Sequence, residues 1–74
     1  MPAVIKTGRD VIQRLATAYN NRGVALRLKA DYAAAIADFN EAIRLAPNYA
    51  NAFNNRGVAF RNAGDLEHAI ADYD

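Results

Sequence analysis

The chain has 74 residues, a formal net charge of +1 and 53% hydrophobic residues, which limits it to one small domain with a modest core. Nine Lys and Arg stand against eight Asp and Glu, spread along the chain, so no field is strong enough to gather nucleic acid or an anionic membrane. The absence of Cys excludes a disulfide framework and thiolate metal sites and fits a reducing compartment.

In chain order, MPAVIKTGRD has no apolar stretch of signal-peptide length, and no segment approaches bilayer-spanning length. A soluble, cytoplasmic protein is the expectation. Residues 1–6 read as an extended or frayed arm, with Val4 and Ile5 either packed on a neighbour or mobile. Thr7 followed by Asp10 resembles a capping box with a shortened acid, which predicts a helix starting near Gly8 or Arg9. Val11, Ile12, Leu15, Tyr19 and Leu26 share an apolar face that carries it to about Lys29. Asp31 is a candidate N-cap for a second helix, Tyr32 to about Leu45, and Pro47 ends that helix at Ala46. Asn48 is a candidate cap for a third helix, from about Tyr49 to Asn62. After the Ala63–Gly64 break, Asp65 is a candidate cap for a fourth, Leu66 to Asp74.

The chain then repeats itself. Set against the residue 34 positions later, Ala16–Asn40 and Ala50–Asp74 agree at 14 of 25 positions, including the unbroken run NNRGVA at Asn20–Ala25 and Asn54–Ala59. A fixed period in this range marks stacked supersecondary units. Each copy places an aromatic (Tyr19, Phe53), then Gly (Gly23, Gly57), a large apolar residue (Leu26, Phe60), an Asp (Asp31, Asp65), the string AIAD, and a second aromatic (Phe39, Tyr73). Two amphipathic helices per copy follow from the spacing.

With these residues in this order the chain resembles the tetratricopeptide repeat family. Counted from Ala16, copy one supplies Tyr19, Arg22–Gly23, Leu26, Ala35, Phe39, Ala42 and Pro47; copy two supplies Phe53, Arg56–Gly57, Phe60, Ala69 and Tyr73. Arg22 and Arg56 replace the usual Leu, Leu26 replaces an aromatic, and the last Ala and Pro of copy two are missing. The resemblance implies an all-α fold, antiparallel helix pairs stacked as a short right-handed solenoid. Residues 1–15 form an N-terminal arm and helix extension, 16–49 repeat 1, and 50–74 repeat 2, truncated in its second helix. Fewer than two full units leave apolar faces uncovered, so the chain either self-associates or is part of a longer array. Ile70 and Tyr73 lie on such a face.

The sequence is poor in catalytic parts: no Ser, no Cys and one His. His68 reads as a solvated or partly packed side chain, and Asp31, Asp38 and Glu41 as cap, pair and solvated face. No enzyme activity, cofactor or metal is expected. Gly23 and Gly57 lie mid-helix, where Gly costs about 1 kcal/mol against Ala, and close approach of the partner helix explains both. Arg22 and Arg56, charges at a normally apolar position, are matched by the equally duplicated Asp38 and Asp72. Their stems are predicted to lie on apolar surface with the guanidinium groups turned to these carboxylates.

The resemblance also implies a concave groove lined by the first helix of each repeat. Its positions here are Thr17, Asn20, Asn21, Val24, Arg27 and Leu28, then Asn51, Asn54, Asn55, Val58, Arg61 and Asn62. Amides that donate and accept suit an extended peptide, and Arg27 and Arg61 suit an acidic side chain or carboxylate. Some family members clamp a chaperone's C-terminal carboxylate. Here Asn55, with Asn21 in copy one, matches one clamp position, but Val24 and Asn20 replace others, and a third groove helix is missing. The expected function is a non-enzymatic protein–protein interaction scaffold binding a peptide or helix of unidentified origin. The alternatives are a self-association module using the repeat ends and, in a different class, a helical-repeat RNA binder. The near-zero net charge argues against RNA.

Overall fold

The computed structural model describes residues 7–73; the expected arm at residues 1–6, with Val4 and Ile5, and the Asp74 end of the fourth helix lie outside them. Four helices are present, α1 (Gly8–Leu28), α2 (Tyr32–Leu45), α3 (Ala50–Asn62) and α4 (Leu66–Tyr73), with no strand among the described residues.

Three of the four starts follow the expected cap chemistry. Thr7 Oγ1 accepts from the Asp10 N–H at 3.2 Å, Asp31 Oδ1 from the Ala34 N–H at 3.4 Å, and Asp65 Oδ1 from the His68 N–H at 3.2 Å. Each satisfies a donor that the first turn leaves open. The third start differs: Asn48 does not cap α3. Tyr49 holds the cap position without a side-chain hydrogen bond, because a turn bonding the Tyr49 N–H to the Ala46 carbonyl at 3.0 Å carries Asn48 outside the helix entrance.

Both helical hairpins close the same way. In the first, the Asp31 N–H reaches the Leu26 carbonyl at 2.9 Å; in the second, the Asp65 N–H reaches the Phe60 carbonyl at 2.8 Å. Such a closure needs a left-handed residue. Gly64 supplies it at φ 88°, whereas its copy Ala30 holds φ 65° with a Cβ, a conformation that costs roughly 1–2 kcal/mol outside Gly.

The core is built from small residues around one ring. Ala16, Ala35, Ala42, Ala52 and Ala59 are fully enclosed, and Phe39 is the largest fully buried side chain. Gly23 explains how that ring fits: a Cβ there would sit 2.5 Å from Phe39 Cε1, and one on Gly57 would sit 2.9 Å from Tyr73 Cε1. Helices α1 and α2 therefore approach more closely than any residue larger than Gly allows. Phe39 is fully enclosed while Tyr73 is 45% exposed, so only Tyr73 has room to swing away. Gly23→Ala is expected to destabilise by about 2 kcal/mol through overpacking. Gly57→Ala is expected to be neutral or mildly stabilising, since helix propensity returns up to about 1 kcal/mol. Parallel urea titrations of the two variants read the difference.

Each helix packs on the next in sequence, α1 also touches α3, and α2 and α4 do not meet. First helices lie side by side while second helices splay apart, so the α1 and α3 layer is the inner side of the curve.

Candidate functional site

Between the two layers run the paired charges. Arg22 donates Nε to Asp38 Oδ2 at 2.6 Å and Nη2 to Oδ1 at 2.8 Å; Arg56 donates to Asp72 at 2.8 and 2.6 Å in the same two-pronged way. The planar fork matches a carboxylate with two parallel bonds. Its bond to Asp38, and the Asp38 charge, hold the Arg22 guanidinium above its ordinary pKa. Each guanidinium also lies over the aromatic of its own copy, Arg22 5.5 Å from the Tyr19 ring centre and Arg56 5.2 Å from that of Phe53. The sequence-predicted pairing is thus present within both repeats. Arg56 adds a link between them, Nη1 to Asn40 Oδ1 at 2.8 Å, which the duplication of the pair does not by itself imply.

On the inner layer, Asn55 donates Nδ2 to Asn20 Oδ1 at 3.0 Å, joining α3 to α1. Asn20 is almost fully buried, so its carbonyl is committed to the scaffold. The other expected groove positions fall around this pair. Thr17, Asn21, Leu28, Asn51, Asn54, Arg61 and Asn62 are exposed; Val24, Arg27, Asn55 and Val58 are half-buried. Thr17 Oγ1 donates to the Gln13 carbonyl at 3.0 Å. Val24 packs on the Phe39 cluster. Arg27 stands seven residues beyond Asn20, on the same side of α1, and its Nε is buried with no acceptor among the described residues.

His68 is exposed. Its Nδ1 lies 2.6 Å from Asp65 Oδ2, and its ring stacks on Phe60 with centres 5.0 Å apart. Bonding from the His68 backbone N–H holds the Asp65 carboxyl below its usual range. His68 thus closes the second hairpin, and the signal available in sequence was only its spacing of three from Asp65. Among the described residues no group of three or more His, Cys, Asp or Glu is arranged to hold a metal, and no helix is long and apolar enough to cross a membrane.

Helical hairpins in series, each packed on its successor, with first helices side by side, define a helical-repeat protein. A family model of the tetratricopeptide repeat matches residues 16–49, and a second matches residues 39–71. The chain belongs to the tetratricopeptide repeat family. The family is generally a non-catalytic module of protein–protein interaction. No curated protein and no solved structure matches the chain significantly.

Proposed function

We propose that the protein is a non-catalytic adaptor that holds an extended peptide or a helix of a partner protein against the inner face of α1 and α3. The observation that carries this reading is Arg27, a half-buried cation with no ion pair among the described residues, set on a face it shares with Arg61, Thr17, Leu28, Val24, Val58 and the Asn side chains. A carboxylate on the partner would pair with the Arg27 charge, while Asn21, Asn54 and Asn62 exchange hydrogen bonds with its backbone. The chain's +1 net charge supports a protein ligand over a nucleic acid, whose affinity rests on many phosphate contacts.

A random-peptide display library panned on the folded chain is the test. Enriched peptides are expected to carry an acidic residue or a free C-terminus and to bind Arg27→Gln about 10–100-fold more weakly, the range for losing a charge-assisted hydrogen bond. Peptides that bind Arg27→Gln and Asn54→Ala unchanged would contradict the groove.

A second reading, in which the repeat ends are the interface and the module self-associates, is supported by the exposure of Val11, Ile12 and Leu15 at one end and Leu66, Ile70 and Tyr73 at the other. Concentration-dependent melting distinguishes it from a simple peptide binder.

A further inference from the structure

The arginines of this chain fall into two kinds. Arg22 and its copy Arg56 come with duplicated acids, Asp38 and Asp72, and both bridges are made; Arg44 has Glu41 one turn before it. Arg27 and its copy Arg61 are duplicated without an acid. Neither makes an ion pair among the described residues, nor does Lys29 at the end of α1. The acids nearest in sequence are engaged elsewhere: Asp31 caps α2, and Asp65 caps α4 and bonds the His68 ring.

Helix geometry gathers the three cations at one end of the inner face. Helices α1 and α3 each run against α2 and so run the same way, and the bond from Asn55 to Asn20 sets their register. Seven residues further along, about two turns or ~10 Å, α1 has reached Arg27 and α3 has reached Asn62, next to Arg61. Leu28 follows Arg27 and is the most exposed large apolar side chain among the described residues, at 72%. The repeat does not require an apolar residue there, since its copy is Asn62.

The amides bear on the form of the ligand. Asn21, Asn51, Asn54 and Asn62 are exposed and make no side-chain hydrogen bond among the described residues. A bound helix keeps its main-chain donors and acceptors to itself and docks through an apolar stripe, which this face offers only at Val24, Val58 and Leu28. An extended segment presents its N–H and C=O groups to such amides.

We propose that the segment held on the inner face is extended and acidic, with one bulky apolar side chain seated on Leu28 and flanking carboxylates paired with Arg27, Lys29 and Arg61. This rests on the inner face as the binding side and adds to it the conformation and chemistry of the ligand. Charge complementarity selects an acidic segment, and the apolar seat selects a protein over a phosphate chain.

Fluorescence anisotropy tests it with a labelled peptide carrying a central Leu flanked on both sides by Glu in a Gly–Ser frame, its ends blocked so that only side-chain acids can pair. The native chain is expected to bind it, and to bind a version with Gln in place of Glu about 10-fold more weakly. Lys29→Gln and Arg61→Gln are each expected to weaken binding about 2–5-fold, and Leu28→Ser about 5–10-fold. All three positions are exposed, so the fold is expected to persist, and circular dichroism verifies it. Leu28→Ser is also expected to leave binding of a Ser-centred version of the peptide unchanged, which a role in the fold alone would not give. A Glu peptide bound no more tightly than its Gln version, or variants that bind as the native chain does, would overturn the acidic, apolar ligand, and if Asn54→Ala then still weakens display-selected peptides, the inner face stands without it. An oligouridylate that binds more tightly than the peptide and is lost in the same variants would overturn it in favour of nucleic acid. Display-selected peptides indifferent to both Asn54→Ala and Arg27→Gln would remove the inner face and this ligand together.

Discussion

Arg56→Met is expected to release α4 from the body of the protein. Of this short helix only Ala69 is buried, and the Asp72 side chain, held by Arg56, is just 6% exposed. Removing the guanidinium leaves a carboxylate enclosed without a partner, a defect that costs roughly 3–5 kcal/mol where the charge cannot reach water. The same substitution breaks the bond to Asn40 and the stacking over Phe53. Undocking α4 lets Asp72 return to water, so the free energy is relieved locally and α1 to α3 persist. Hydrogen exchange is expected to show α4 amides losing protection while those of α1 and α2 keep theirs. Adding Asp72→Leu, which removes the orphaned charge, is expected to restore most of the protection, since an apolar pair of similar volume replaces an ion pair at little cost. Protection of α4 unchanged in Arg56→Met would show that the paired charges do not hold the helix.

The second large effect is at Phe39. It is the most voluminous side chain fully withdrawn from solvent, and the α1 backbone at Gly23 is shaped around it. Phe39→Ala removes that packing and leaves a cavity, at about 3–5 kcal/mol. A domain of this length has in total about 4–11 kcal/mol at the usual 0.05–0.15 kcal/mol per residue. The variant is therefore expected to lose a large share of that stability and to melt well below the native chain, as followed by helical circular dichroism. Tyr73, the same position in copy two, is 45% exposed, and Tyr73→Ala is expected to cost under about 1 kcal/mol. Equal losses at the two positions would contradict the asymmetry between the repeats.

How far the sequence reaches is clear from these same residues. Helix limits were legible because the caps are chemically explicit: Thr7, Asp31 and Asp65 each precede an apolar period, and Pro47 closes α2. The Arg–Asp pairs were legible because both partners are duplicated one period apart, so an interaction useful once is written twice. Asn48 misled, because a residue type that favours caps says nothing about how the preceding turn aims it. The family resemblance gives Asn20 as a groove residue. Whether its amide is free depends on α3 lying close enough for Asn55 to take it, which is a fact of packing between repeats. The Arg56 bond to Asn40 and the stack of His68 on Phe60 were hidden for the same reason, since each joins elements whose separation no local pattern records.

A family name leaves open which face of a repeat protein does the binding, because function resides in the surface and not in the fold. The inner face is the claim on which the account depends. It is tested most directly by titrating a display-selected peptide into the isotopically labelled chain and following side-chain and backbone NMR signals residue by residue. The account predicts that signals of Asn21, Arg27, Asn54 and Arg61 shift, while those of Ala37, Glu41 and Arg44 on α2 stay in place. Shifts gathered on α2, with the α1 and α3 signals unmoved, would contradict it.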